Sequence, residues 1–282
     1  MNAPVPPMTD REFEDLKALV KKEVGIHLTP EKRQLLSGRL QKRIRELRLN
    51  SYGEYYHFVL SNPDGQELAR LASLISTNHT FFLRENGHFD FLVQKVLPEI
   101  SARIKAVGAK KELRVWCAAS STGEEPYTLA ILLMEYFGEE YARWDAGLLA
   151  TDISTRALDL AKQGVYEGER VACLSPLWIQ KYFIKRADGS FELQPKVKKE
   201  VLFRRFNLTS ETFPFAKPFH IIFCRNVMIY FDTPTKEALI QRLWENLEPG
   251  GYLFLGHSET LGLRRQGFRN VHASVYQKVL SE

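Results

Sequence analysis

The 282-residue chain is long enough for one large domain, or for a large and a small one. With 44% hydrophobic and 26% charged residues it can pack a core and is not a disordered chain. No apolar run approaches the ~20 residues of a membrane span, and the formal charge of +5 permits acidic partners without choosing among them.

Met1 to Asp10 is Pro-rich without an apolar signal core and reads as a frayed tail. From Thr9 to about Ser76 the pattern is helical. Thr9 or Asp10 can cap a first helix whose apolar residues Phe13, Leu16, Leu19 and Val20 recur at helical spacing, and Gly25 ends it. Thr29 and Pro30 start a second helix through Leu35, Leu36, Leu40, Ile44 and Leu47. Its other face carries Lys32, Arg33, Arg39, Lys42, Arg43, Arg45 and Arg48, with Glu46 the only acid between Lys32 and Arg48. Such a face is either a solvated surface or an attractor for an acidic helix or phosphate backbone. It lacks the aromatic interleaving that stacks single-stranded bases, so nucleic acid is not the expected partner. Ser51-Tyr52-Gly53 breaks the pattern, and short helices resume over Tyr56–Leu60 and Leu68–Leu74.

Thr77 to Glu85 connects this region to the next, with polar groups around the pair Phe81-Phe82. Phe89, Phe91, Leu92, Val96, Leu97 and Ile100 give an amphipathic helix. Val115 to Ala119 then reads as a buried strand, followed by small residues over Ala118 to Gly123, where backbone can approach a ligand. Pro126 suits the first turn of a helix that Gly138 ends. Strand, small-residue turn and helix N-terminus form a nucleotide-type pocket in a parallel α/β sheet, although an ordinary βα turn has the same outline. Leu148 to Ser154 is a strand with Asp152 at its carboxyl end, where an acid can bind a ribose diol; Ser154 competes with Asp152 to cap the next helix.

Residues 164–206 break the α/β rhythm. Ser175-Pro176 starts a short helix, Phe183 to Leu193 reads as a hairpin turning at Asp188-Gly189, and Val201 to Phe206 is strand-like. The expectation is a small antiparallel insertion at about 180–206, with Lys196–Lys199 as solvated surface. Phe219 to Cys224 is a second buried strand with Arg225-Asn226 at its end; Pro234 opens a helix through Leu239, Leu243 and Leu247, and Ser274 to Val279 is the last strand. Cys117, Cys173 and Cys224 are far apart, and two lie in apparent strands, which argues for reduced thiols in the cytoplasm rather than disulfides or a zinc site.

The small-residue turn, Asp152, Asn207 and Arg225-Asn226 converge on one sheet edge and suit an adenosine-containing cofactor. Glu124 and Glu125 lie where a pyrophosphate would rest and would repel it. A ligand with a cationic amine or sulfonium fits better, which points to S-adenosylmethionine, its amine on Glu125 or Glu124.

The sequence resembles the CheR family of chemotaxis receptor glutamate O-methyltransferases over nearly its whole length. The resemblance rests on Thr77–Glu85, Ala119–Tyr127, Ala150–Ile153, Phe206–Leu208, Phe223–Phe231 and Leu255–Glu259. It implies an all-helical N-terminal domain (1–76) and a doubly wound, Rossmann-like α/β methyltransferase domain (77–282) carrying a small antiparallel β-subdomain. It implies cofactor contacts at Asn78, Thr80, Arg84, Glu125, Asp152, Asn207, Leu208, Arg225 and Asn226, a catalytic pair of Arg84 and Tyr230, and S-adenosylhomocysteine as product. Arg84 is left to hold either the substrate carboxylate or that of the cofactor. The implied partners are the methylation helices of chemoreceptors, met by Arg39, Lys42, Arg43 and Arg45 of a monomeric enzyme. The segment Lys185–Ser190 is shorter than the glycine-rich loop of members that dock on a receptor C-terminal pentapeptide, so no tether is expected. A methyltransferase acting on RNA or another protein, or a non-catalytic S-adenosylmethionine sensor, is the alternative.

Overall fold

The computed structural model describes residues 5–62, 65–76, 78–106, 108, 111–262 and 267–279. Met1–Pro4 of the N-terminal tail and Thr77 of the linker motif lie outside the described residues.

Four helices form the first layer: α1 (Asp10–Val24), α2 (Arg33–Glu46), α3 (Tyr52–Leu60) and α4 (Gln66–Ile75). Helix α1 starts in a capping box, with Thr9 Oγ1 accepting from Glu12 N and the Glu12 carboxylate accepting from Thr9 N. It ends at Gly25, whose φ of 79° is the left-handed conformation a helix terminus favours. Leu16, Val20, Leu36, Leu40, Ile44, Tyr55 and Leu71 close into one core.

Several expectations change here. Val5 and Met8 are buried in the helical core, so this part of the tail is packed; the Arg33 guanidinium donates to the Met8 carbonyl and anchors it. Ser51 caps α3 by accepting from Glu54 N at 3.0 Å, so Tyr52 and Gly53 open a helix instead of breaking one. Leu35 is 46% exposed, and Leu36 takes the inward position. The basic face of α2 is also divided. Arg43 donates to buried Glu67 at 2.9 and 2.5 Å, and Arg39 donates to the Ile75 carbonyl at 2.5 Å, so both tie α2 to α4. Lys42, Arg45 and Arg48 remain exposed.

The rest of the chain is α/β. A continuous helical run, α5 (Gly87–Phe91), a π turn (Leu92–Val96) and α6 (Leu97–Ala106), leads to β1 (Val115–Cys117). Then come α7 (Glu124–Phe137), β2 (Leu148–Asp152), α8 (Thr155–Gln163), β3 (Val165–Tyr166), α9 (Gly168–Val171), α10 (Pro176–Tyr182), β4 (Phe183–Lys185), β5 (Phe191–Leu193), α11 (Pro195–Lys198), β6 (Val201–Arg205), β7 (Phe219–Cys224), α12 (Thr233–Glu245), β8 (Leu247–Leu255), β9 (Phe268–His272) and β10 (Val275–Lys278). The large sheet runs β6-β2-β1-β7-β8-β10-β9; β10 is antiparallel to both neighbours and the pairings from β6 to β8 are parallel. Successive residues of β1 serve opposite faces: Val115 and Cys117 join one apolar cluster and Trp116 the other. A parallel sheet covered on both faces needs this continuous apolar run.

Strand β6 corrects the expected insertion. It pairs in parallel with β2, Leu148 opposite Val201 through Asp152 opposite Arg205, and so belongs to the large sheet. The antiparallel unit is β3-β5-β4, within 165–193. Lys196–Lys199 is not simply solvated surface: Val197 is buried in α11, and Lys198 bridges to Glu192 at 2.7 Å. Leu247 opens β8 instead of continuing α12.

Candidate active site

Strands β1, β2 and β7 end at the same edge, where the connections leave in opposite directions, and a pocket opens there. Its space, open mouth included, amounts to about 850 Å³. Asn78, Thr80, Arg84, Glu125, Asp152, Asn207, Leu208, Arg225, Asn226 and Tyr230 all line it.

The turn after β1 is held by backbone geometry. Ser121 and Gly123 are left-handed, with φ of 47° and 99°. A Cβ on Gly123 would lie 2.9 Å from both Ala161 Cβ and Tyr166 Oη, so this turn needs glycine. Asp152 clamps the turn by accepting from Ser121 N and Ser154 N, each at 2.8 Å. Burial pushes its pKa up, and the N–H groups of Ser154, Ser121 and Ile153 oppose that rise. Ser154 caps α8 through Ala157 N at 3.2 Å, so the cap and the pocket acid are separate residues.

The two adjacent acids part company. Glu124 is fully buried and turned away from the pocket, accepting from Thr122 Oγ1 at 2.7 Å and pairing with Arg170. Glu125 faces the pocket. Its carboxylate takes Arg225 Nη1 at 2.6 Å and Cys117 Sγ at 3.2 Å. The Arg225 side chain is only 1% exposed and also donates to Glu85 at 3.0 Å and to the Arg84 carbonyl at 2.5 Å. Its guanidinium therefore fixes the linker stretch against the sheet and orients Glu125.

Tyr230 sits on the loop after β7, and one carboxylate holds that loop. Glu259, 6% exposed, accepts from Gly256 N and Asn226 N at 2.7 and 2.8 Å on Oε2, and from Met228 N and Ile229 N at 2.7 and 3.3 Å on Oε1. Burial raises its pKa, against these four N–H bonds. Asn226 is itself left-handed (φ 57°) and lies so close to Gly256 that a Cβ there would come within 2.4 Å of its Nδ2. Sequence reasoning gave Glu259 no role. The available signal is an acid shortly after the apolar end of a strand, Tyr252 to Leu255.

The helical layer supplies the remaining wall, through Val24, Ile26 and Ser76. Among the described residues, polar links fasten it: Asn207 Nδ2 to the Glu23 carbonyl at 2.8 Å, His27 N to the Tyr230 carbonyl at 2.8 Å, and Lys21 to Asp232 at 2.6 Å. The side-chain amide of Asn207 is thus used at the seam, with its Oδ1 accepting from Thr209 N at 3.0 Å. At the mouth, Arg84 donates to the His79 carbonyl at 2.7 Å and lies 5.9 Å from the Phe81 ring centroid; Lys32 lies 5.9 Å from that of Tyr230.

Two family models cover this architecture: "CheR methyltransferase, all-alpha domain" over residues 11–76 and "CheR methyltransferase, SAM binding domain" over 78–277. The chain belongs to the CheR methyltransferase family. A chemotaxis protein methyltransferase of Borreliella burgdorferi is 39% identical to it over 90% of this chain and 89% of the relative. Another, of Escherichia coli, is 36% identical over 95% and 91%. Chemotaxis protein methyltransferase 2 of Pseudomonas aeruginosa is 37% identical over 95% and 93%. As a CheR methyltransferase the chain uses S-adenosylmethionine, and the pocket's chemistry suits that ligand. Glu125 is an acceptor for a cation, Asp152 an acceptor at the sheet edge, and Val24, Ile26, Ile153, Phe206 and Leu208 give apolar wall. Among the described residues no helix is long and apolar enough to cross a membrane.

Proposed function

We propose that the chain methylates glutamate side-chain carboxylates of chemotaxis receptors, forming methyl esters that adapt the sensory response. The observation that carries this reading is the placement of Arg84 and Tyr230 on the same pocket as Glu125 and Asp152. In this reading Asp152 takes the ribose diol, Glu125 the methionine amine, and the apolar wall the adenine. Asn78 and Thr80 contact the cofactor from the linker side. Bound S-adenosylmethionine supplies an electrophilic methyl group on a sulfonium. A glutamate with a pKa of roughly 4.3 is already ionised at neutral pH and needs no general base. The work left to the chain is alignment and exclusion of water. Arg84 orients a carboxylate at the mouth, and the Tyr230 hydroxyl gives the nucleophilic oxygen one modest hydrogen bond.

The receptor surface in this reading is the exposed part of the α2 basic face, Lys42 and Arg45, with Arg39 and Arg43 holding the helix that presents them. The turn between β4 and β5 spans Arg186–Ser190, closed by Arg186 N donating to the Ser190 carbonyl at 2.8 Å; docking through it on a receptor C-terminal pentapeptide is not part of the reading. Tritiated S-adenosylmethionine, offered with receptor-bearing membranes or with RNA, tests the proposal. Label on receptor that alkali releases as methanol is the expected result. Label on RNA, or no transfer to either, overturns it.

A further inference from the structure

Behind the pocket, three side chains meet that the methyl-transfer chemistry does not use together. Glu85, His88 and His257 each offer one ligand atom, and these atoms lie within 4.8 Å of one another. The His88 ring is fully buried and its Nε2 lies 3.0 Å from the Ala273 carbonyl. A carbonyl only accepts, so Nε2 carries the proton and the lone pair of neutral imidazole is on Nδ1. That Nδ1 is buried with no hydrogen-bond partner among the described residues, and it points at Glu85 Oε2 from 3.6 Å. Two acceptors face each other there, an arrangement that asks for a cation between them. His257, half exposed, brings Nε2 to 4.0 Å from the same oxygen, its ring edge-on to His88 with centroids 4.8 Å apart. Glu85 reaches this position from a left-handed backbone, φ 56°, which a glutamate adopts only when its surroundings hold it.

We infer that Glu85, His88 and His257 form a binding site for a divalent transition-metal ion of the zinc class, next to the cofactor pocket. Two imidazoles and a carboxylate are a tetrahedral donor set with one position left for water. The local charge permits a dication, because Glu85 and Glu125 oppose the single guanidinium of Arg225 and leave one negative charge (−2 + 1). A metal would compete with Arg225 for Glu85 Oε2, which Arg225 Nη2 approaches to 3.0 Å. Occupancy would therefore loosen the link between the linker stretch and Glu125, and the site would act as a brake on cofactor binding.

The test uses the full chain after chelator treatment and buffer exchange. Titration with Co2+ is expected to give the visible d–d bands of a tetrahedral ion at one equivalent, and Zn2+ to displace it. The chain has 7 histidines, so stray binding must be separated from this site. His257→Ala, at an exposed position, is expected to weaken Co2+ binding about tenfold or more, and Glu85→Gln to do the same. Saturating Zn2+ is expected to raise the Kd for S-adenosylmethionine in the wild type but not in His257→Ala. Absence of saturable binding would overturn the inference. Stoichiometric binding that survives both substitutions would place the ion elsewhere and overturn it equally.

Discussion

The pocket has one wall made of strand ends and one borrowed from the helical layer, and different forces hold the two. On the sheet side the fixing elements are charges and backbone amides: Arg225 between Glu85 and Glu125, Glu259 under four N–H groups, and Asp152 accepting from Ser121 N and Ser154 N. On the helical side the wall is apolar, and it is fastened by close fit at Gly25 and a few polar links. The sheet wall should therefore fail when a charge is removed, and the helical wall when volume is added.

The largest effect is expected at Arg225. Arg225→Met keeps much of the volume but leaves Glu85 and Glu125 without their shared cation. Breaking a buried pair from one side costs about 3 kcal/mol or more, read as a lower urea midpoint at unchanged m. The double variant Arg225→Met/Glu85→Gln should recover part of that loss. If it recovers none, packing and not charge holds this wall.

Glu259→Gln comes next. An amide has one accepting oxygen, and its NH2 group would face two backbone donors, leaving buried N–H groups unpaired at a cost of about 2 kcal/mol. Because Glu259 holds the loop that carries both Asn226 and Tyr230, kcat should fall and the KM for cofactor should rise. Glu259→Asp, which retains both oxygens, should restore part of the rate. Equal losses in both variants would reduce Glu259 to a packing role.

How much of this was legible in the sequence depends on how far each residue's partner lies along the chain. The buried strands, Thr9, Gly25 and Ser154 were readable because the signal and the structure are local. Glu124 and Glu125 were not separable, since neighbouring positions in one helical turn differ only in direction; Thr122 and Arg170 claim the first, and Cys117 and Arg225 the second. Arg39 and Arg43 read as part of one outward basic face, solvated or receptor-facing, because their partners, Ile75 and Glu67, lie on another helix. Strand β6 shows the same limit. Its alternation fits an edge strand of either sheet, and only the pairing with β2 assigns it to the large one.

The helical wall is challenged by volume at Gly25. A Cβ there would lie 2.1 Å from Thr209 Cγ2, at a φ of 79° that side chains seldom adopt. Gly25→Ala is expected to cost about 1–2 kcal/mol and to raise the Kd for S-adenosylmethionine, because Val24 and Ile26 flank the displaced residue. Thr209→Ser removes the opposing methyl and keeps the hydroxyl that donates to Asn207 Oδ1. In the Gly25→Ala background it should relieve the clash while leaving the backbone term. Full additivity of the two substitutions would show that they do not meet across the seam.

The smallest effect is expected from charge at that same seam. Asp232 caps α12 through Thr235 N and pairs with Lys21 of α1. Its pKa is held down to about 2, first by Lys21 and then by the Thr235 hydroxyl. An unfolded aspartate titrates near roughly 3.9, so the stabilisation is complete above that pH and is lost as pH falls towards about 2. Lys21 is 52% exposed, which confines the pair to under about 1 kcal/mol and makes it sensitive to salt. Asp232→Asn keeps a competent helix cap and removes the charge. Urea unfolding through this acid range should show the difference between wild type and variant shrinking as pH falls. A small, pH-dependent difference here beside a large loss for Arg225→Met would establish that charge holds the sheet wall and fit holds the helical one. A difference at Asp232 as large as that at Arg225 would mean that the two walls are secured alike.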